Sequence, residues 1–280
     1  MNATTVESEQ VEKNKSKPET EPEPQQSQNS DMPSIKQDKY SEYKRAFKRV
    51  LGLAKKELYS YFNSPIAYVV IVIYLLFAGW FFFSRFFIMG QIEIRSYFTT
   101  APLLLMFLAP AITMRLLSEE INTGSYEMLM SLPLNNTQIL LGKLLAAFVF
   151  LSITIGITLS YPITIATFGP LDWGPVIGGY IGLLILGLAY LSIGLLTSAL
   201  TRNQIVAFIL GFAICFFLFL LDKILMFVPG PLVGVFQYLG VEYHFQTFTR
   251  GVIDSKNLIY FISLIVGVFY GTRLVLERRK

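Results

Sequence analysis

From residue 66 onward, long uncharged apolar runs are separated by brief clusters of charge. Six runs, about 66–84, 96–114, 144–171, 173–201, 203–221 and 257–276, have the length of membrane-spanning helices, since about 20 residues at a rise of 1.5 Å cross the hydrocarbon core. The sixth includes Arg273, whose aliphatic stem lets its charged head reach the interface while Leu274 to Leu276 complete the span. None of the runs alternates with the period of a membrane strand, so an all-α membrane protein with six transmembrane helices is expected.

The pattern changes at the N-terminal side and in two connections. Tyr43, Phe47, Val50, Leu51, Ala54, Leu58 and Phe62 recur at helical spacing, with Lys44, Lys48 and Lys55 off that stripe. This predicts an amphipathic interfacial helix over 40–64 that leads into Pro65 and the first span. Residues 1–39 contain no aromatic residue and are rich in Glu, Lys, Gln, Ser and Pro. Such a composition buries too little surface to order itself and predicts a disordered N-terminal tail. The domain reading is therefore tail 1–39, connecting helix 40–64 and a six-span domain over 65–280. The stretches 115–143 and 222–256 are long for connections in a compact membrane domain, which points to function there.

Composition agrees with lipid as the solvent: 53% of residues are apolar, 15% are charged, and the mean hydropathy is +0.53. The basic balance sets topology rather than nucleic-acid binding. Alternating the spans from a cytoplasmic N-terminus places 18 of the 23 Lys and Arg on one side, eleven of them between Lys13 and Lys56. That asymmetry predicts a multi-pass membrane protein with both termini in the cytoplasm. The single cysteine, Cys215, excludes internal disulfides.

The missing motifs narrow the function. No G-x-x-x-x-G-K-[ST] loop is present, so the chain does not hydrolyse ATP by that route, and Gly142-Lys143 sits at the head of a span. His244 is the only histidine, which removes zinc-protease motifs and His-pair chemistry; no metal site is expected, and His244 reads as a hydrogen-bonded interfacial residue. The six runs carry no interior ionisable residue, which disfavours an ion-coupled carrier.

The connection 115–143 reads as helix, break, helix and stop. Gly124 ends a helix continuing the second span, Ser125 caps a short helix with Glu127 in its first turn, and Met128, Leu129 and Leu132 form its apolar side. Pro133 stops it and Asn136 caps the third span, while Glu119 and Glu120 lie near Arg115 and suit pairing, docking or plain solvation. Between the fifth and sixth runs, Pro229, Gly230 and Pro231 break the chain ahead of Tyr243, His244, Phe245, Phe248, Arg250 and Asp254. That aromatic stretch suits re-entrant helices at the outer interface, either as a gate or as a simple interfacial belt.

The pattern R-x-x-x-E-E-x-x-x-G-[ST]-x-E-x-L-x-[ST]-x-P from Arg115 to Pro133, followed by Q-x-x-x-G-K from Gln138 to Lys143, resembles the ABC-2 class of ABC transporter permeases. The stretch from Tyr243 to Asp254, with Leu258, Tyr260 and Phe261, is similar to the gliding-motility branch of that class. The resemblance implies a permease subunit without its own ATP-binding motif, paired with a second permease subunit. ATP and Mg would be bound by separate cytoplasmic nucleotide-binding ATPase subunits. Glu119, Glu120, Gly124, Glu127, Leu129 and Pro133 would form the coupling loop that contacts the ATPase, and Tyr243, His244, Phe245, Phe248, Arg250 and Asp254 the outer gate. The branch also leaves open a non-transporting membrane anchor or mechanotransmitter that joins the ATPase to a periplasmic auxiliary protein.

Overall fold

The computed structural model describes residues 34–89, 94–130, 134–224, 230–252 and 254–278. The chain forms two compact units, residues 1–45 and 46–280. Of the first, residues 34–45 are described and are helical.

Twelve helices account for the described chain. The entry helix α1 runs Ser34–Phe62, so helix begins ahead of the expected boundary at residue 40; residues 1–33 of the expected tail lie outside the described residues. Next come α2 (Pro65–Met89), α3 (Arg95–Thr113), the short α4 (Ser118–Thr123) and α5 (Ser125–Met130), and α6 (Asn136–Ile157). They are followed by α7 (Ser160–Ala166), α8 (Trp173–Leu200), α9 (Gln204–Ile224), α10 (Gly230–Leu239), α11 (Val241–Phe248) and α12 (Ser255–Glu277). Six stretches are long and apolar enough to cross a membrane: 65–84, 95–123, 136–166, 173–200, 204–224 and 255–277.

Four agree closely with the charge-free runs, while the second continues to 123, past 114, and the third is displaced. Its helix begins at Asn136, beside the expected cap and ahead of the charge-free run that starts at Leu144, so Gln138, Gly142 and Lys143 lie within the helix. It then breaks at Thr158. Pro162 has no N–H to donate to the Thr158 carbonyl, which a continuous helix would require. That oxygen is instead taken by the Tyr161 N–H at 2.9 Å and the Tyr180 hydroxyl at 2.8 Å. The Thr158 hydroxyl also lies 3.0 Å from Tyr97 Oη, itself 3.3 Å from Tyr74 Oη, so the break ties α2, α3 and α8 together.

Helix α8 is the axis of the bundle: 72% of its most apolar window is buried, against 28% for α2 and α9 and 17% for α12. It packs on α3, α6, α9, α11 and α12. Small residues allow this, as is usual where helices must approach closely in lipid. A Cβ on Gly182 would lie 2.7 Å from Phe248 Cβ, and one on Gly178 would run into the Phe248 carbonyl oxygen. The α4–α5 pair joins α3 to α6 at one end of the bundle, and α10–α11 joins α9 to α12 at the other.

Candidate functional site

The α4–α5 end is built on a break in the second span. α3 stops at Thr113, and the turn through residues 114–117 leaves backbone groups without helical partners. Ser198 on α8 accepts the Leu117 and Ser118 N–H groups, both at 3.0 Å, and donates to the Met114 carbonyl at 3.0 Å. Tyr61 on α1 donates to the Ile112 carbonyl at 2.8 Å. Burial pushes the Tyr61 hydroxyl well above its ordinary range, so it remains a donor. The root of the segment is thus fixed by hydroxyls from two other helices.

Gly124 ends α4 in the left-handed conformation at φ 74°, as its position in the sequence predicts. Its carbonyl then accepts the Glu127 N–H at 3.1 Å. Ser125 is not the cap: α5 starts at Ser125, whose hydroxyl lies 2.9 Å from that of Thr123. The cap of α6 is likewise one residue earlier than expected, at Asn135, whose N–H donates to the Gln138 side chain at 3.2 Å.

On α5, Tyr126 turns inward, whereas Glu127 is exposed and Met128 is 76% exposed. Leu129 lies in α5, and Pro133 falls outside the described residues. Glu119 is exposed on α4. Arg115 is not the partner of Glu120; it donates to Ser64 Oγ at 3.4 Å and lies 5.7 Å from the Tyr61 ring centre. A cleft of about 590 Å³ opens between α1 and α4, with Glu57, Arg115, Glu119 and Glu120 among its lining.

The partner of Glu120 is Lys143. This residue, read from sequence as a flanking charge, is 1% exposed, and its ammonium lies 2.6 Å from Glu120 Oε1 and 3.0 Å from Glu57 Oε1. The carboxylates come from α4 and α1, at 20% and 17% exposure. One residue before it, Gly142 brings α6 so close to α1 that a Cβ there would be 2.9 Å from Leu53 Cδ2. Leu53 and Glu57 are one helical turn apart on α1, so adjacent residues of α6 meet successive turns of that helix. The Gln138, Gly142 and Lys143 spacing therefore serves as cap, close approach and ion pair in turn. Removing one member of such a buried pair costs about 3–5 kcal/mol, because it strands the remaining charge.

The opposite end is packed differently. His244, Phe245 and Phe248 are buried, while Tyr243 and Arg250 are exposed. His244 stacks on Tyr260 with ring centres 4.0 Å apart. Its Nε2 donates to the Tyr238 carbonyl at 2.9 Å and its Nδ1 lies 2.6 Å from the Asn257 side chain, so both nitrogens are engaged. Asp254 caps α12 through the Lys256 N–H at 3.0 Å. Two groups that sequence reading passed over hold α11: Asp222 accepts the Glu242 and Tyr243 N–H groups at 2.8 and 3.2 Å, and Lys223 reaches Glu242 at 2.8 Å. Phe245 and Phe248 face the Gly182 notch of α8 and form part of the core.

No curated protein matches the chain. The model of the ABC-2 family transporter protein matches residues 11–238, which takes in the Arg115–Lys143 motif and ends before the Tyr243–Asp254 stretch. With six membrane-length helices and most of its length covered by that match, this chain belongs to the ABC-2 transporter family.

Proposed function

We propose that this chain is the membrane subunit of an ATP-driven exporter, pairing with a second permease chain and with separate cytoplasmic ATPase subunits. The observation that carries this reading is the contrast within α4–α5. The root is fixed by buried hydroxyls and an ion cluster, while Glu119, Glu127 and Met128 stand out to solvent. A short helix pair anchored at its base and exposed at its tip is suited to press against a partner. The skew of Lys and Arg supports a cytoplasmic side for that end and for both termini, in a chain we assign to the bacterial inner membrane. ATP and Mg then reside in the partner.

Closure of the ATPase pair would push on α4–α5, and α3, α6 and α8 would carry the displacement inward. At the far end, α10–α11 would close the outer mouth. The test is reconstitution of the full chain with a P-loop ATPase that co-purifies with it, scored for permease-dependent ATP hydrolysis and for export of material bound to the complex. Hydrolysis that responds to the permease supports the reading. An ATPase whose turnover is indifferent to every candidate substrate, yet sensitive to a periplasmic protein, would assign the chain as a membrane anchor instead.

A further inference from the structure

The ion cluster at the head of α6 is out of keeping with the rest of the bundle. In the interior of the described spans polar contacts are made by hydroxyls, such as those of Tyr74, Tyr97, Thr158 and Tyr180. Only at the α4–α5 end is a full cation buried with two carboxylates, and each carboxylate comes from a different helix. Among the described residues, Lys143 is the one side chain that pairs with carboxylates of both α1 and α4. Beside it, α1 meets the head of α6 through Leu53 and Ile139 with Leu134 against them, and further along α6 through Tyr61 and Phe62, which pack on Phe150. The head of α6 has no other buried ion pair to α4 among the described residues.

We propose that Lys143 is the positioning residue of the transmission path: it locks α4 and the entry helix α1 to the head of the third span, so that a push on α4–α5 moves α6 as well. This rests on the proposed function for the source of the push, but the lock itself is a property of this chain alone. A buried ion pair at 2.6 Å is stiff and directional, because moving either group leaves a charge without solvation. Glu120 Oε2 is buried without a hydrogen-bond partner among the described residues, so Lys143 is the main restraint on that carboxylate. The two carboxylates share one ammonium, so neutralising either leaves the other a partner, whereas losing the ammonium releases both helices together.

The experiment uses the full chain in lipid nanodiscs, with hydrogen exchange read by mass spectrometry, first without any ATPase. Lys143→Met keeps the length and apolar stem but removes the charge. The expected result is about a hundredfold faster exchange in both 118–123 and 50–62, with 241–248 unchanged, because local opening reports the free energy that holds each segment. Lys143→Arg should restore protection, and Glu120→Gln should loosen 118–123 alone. Should Lys143→Met fail to fold, Glu120→Gln decides the α4 arm and Glu57→Gln the α1 arm. Unchanged protection in the charge-removing variants overturns the lock. With the ATPase added, Lys143→Met should retain ATPase binding and lose permease-dependent stimulation about tenfold. Stimulation equal to wild type overturns the transmission role even where protection is lost. A wild-type chain that fails to engage an ATPase contradicts the proposed function instead, and the exchange measurement still decides the lock.

Discussion

The two connecting segments at opposite ends of the bundle are both pairs of short helices, yet they are fixed in opposite ways. α4 and α5 hang from Ser198, Tyr61 and Lys143 at their root, and they leave Glu119, Glu127 and Met128 exposed. α11 is sunk into the core, with Phe245 and Phe248 against the glycine notch of α8 and His244 stacked on Tyr260. A segment held by a few directional contacts at its base can move as a unit. One held by interdigitated rings resists displacement, since close-packed interiors transmit strain and do not deform smoothly. On the proposed function, the α4–α5 end would receive a push and the α11 end would stay shut.

Breaking each kind of support should expose that difference, with thermal unfolding of the purified full chain as the first readout. The largest effect is expected from Lys143→Met, which strands Glu57 and Glu120 and should cost about 3–5 kcal/mol, with Lys143→Arg close to wild type. Gly178→Ala follows. Its Cβ meets the Phe248 backbone, which cannot step aside as a side chain could, for a cost of about 2–3 kcal/mol and a displaced α11. Ser198→Ala leaves the Leu117 and Ser118 N–H groups buried without their acceptor and should cost about 2 kcal/mol, felt at the α4–α5 end only. Gly124→Ala is the mildest: a Cβ there meets nothing within 4 Å, so the cost is the left-handed backbone alone, about 1 kcal/mol.

Much of this was legible in the sequence. Gaps between charges gave six spans because a lipid-facing helix cannot hide a charge, and Gly124 announced its turn because few other residues adopt that backbone. The break in the third span went unread, because the run 144–171 reads as a single helix until the missing N–H of Pro162 is counted. What stayed hidden was tertiary. Lys143 looks like any cation at a span end, and its burial depends on Glu57, 86 positions away. Ser198 sits silently inside an apolar run, yet it caps a helix start from across the bundle. The aromatics of α11 were visible as a cluster, but whether rings line a passage or fill a core depends on the glycines they meet. Here Gly178 and Gly182 take them in.

The most direct test compares two exposed tips in one assay. Met128→Glu and Tyr243→Glu each place a charge on an exposed side chain, one at either end of the bundle. The full chain carrying each substitution is purified with its ATPase, and the bound ATPase is quantified. Met128→Glu should weaken ATPase retention about tenfold, equivalent to about 1.4 kcal/mol, while Tyr243→Glu leaves it unchanged. Equal retention in both variants, or loss with Tyr243→Glu alone, would contradict the assignment of the ATPase contact to α4–α5.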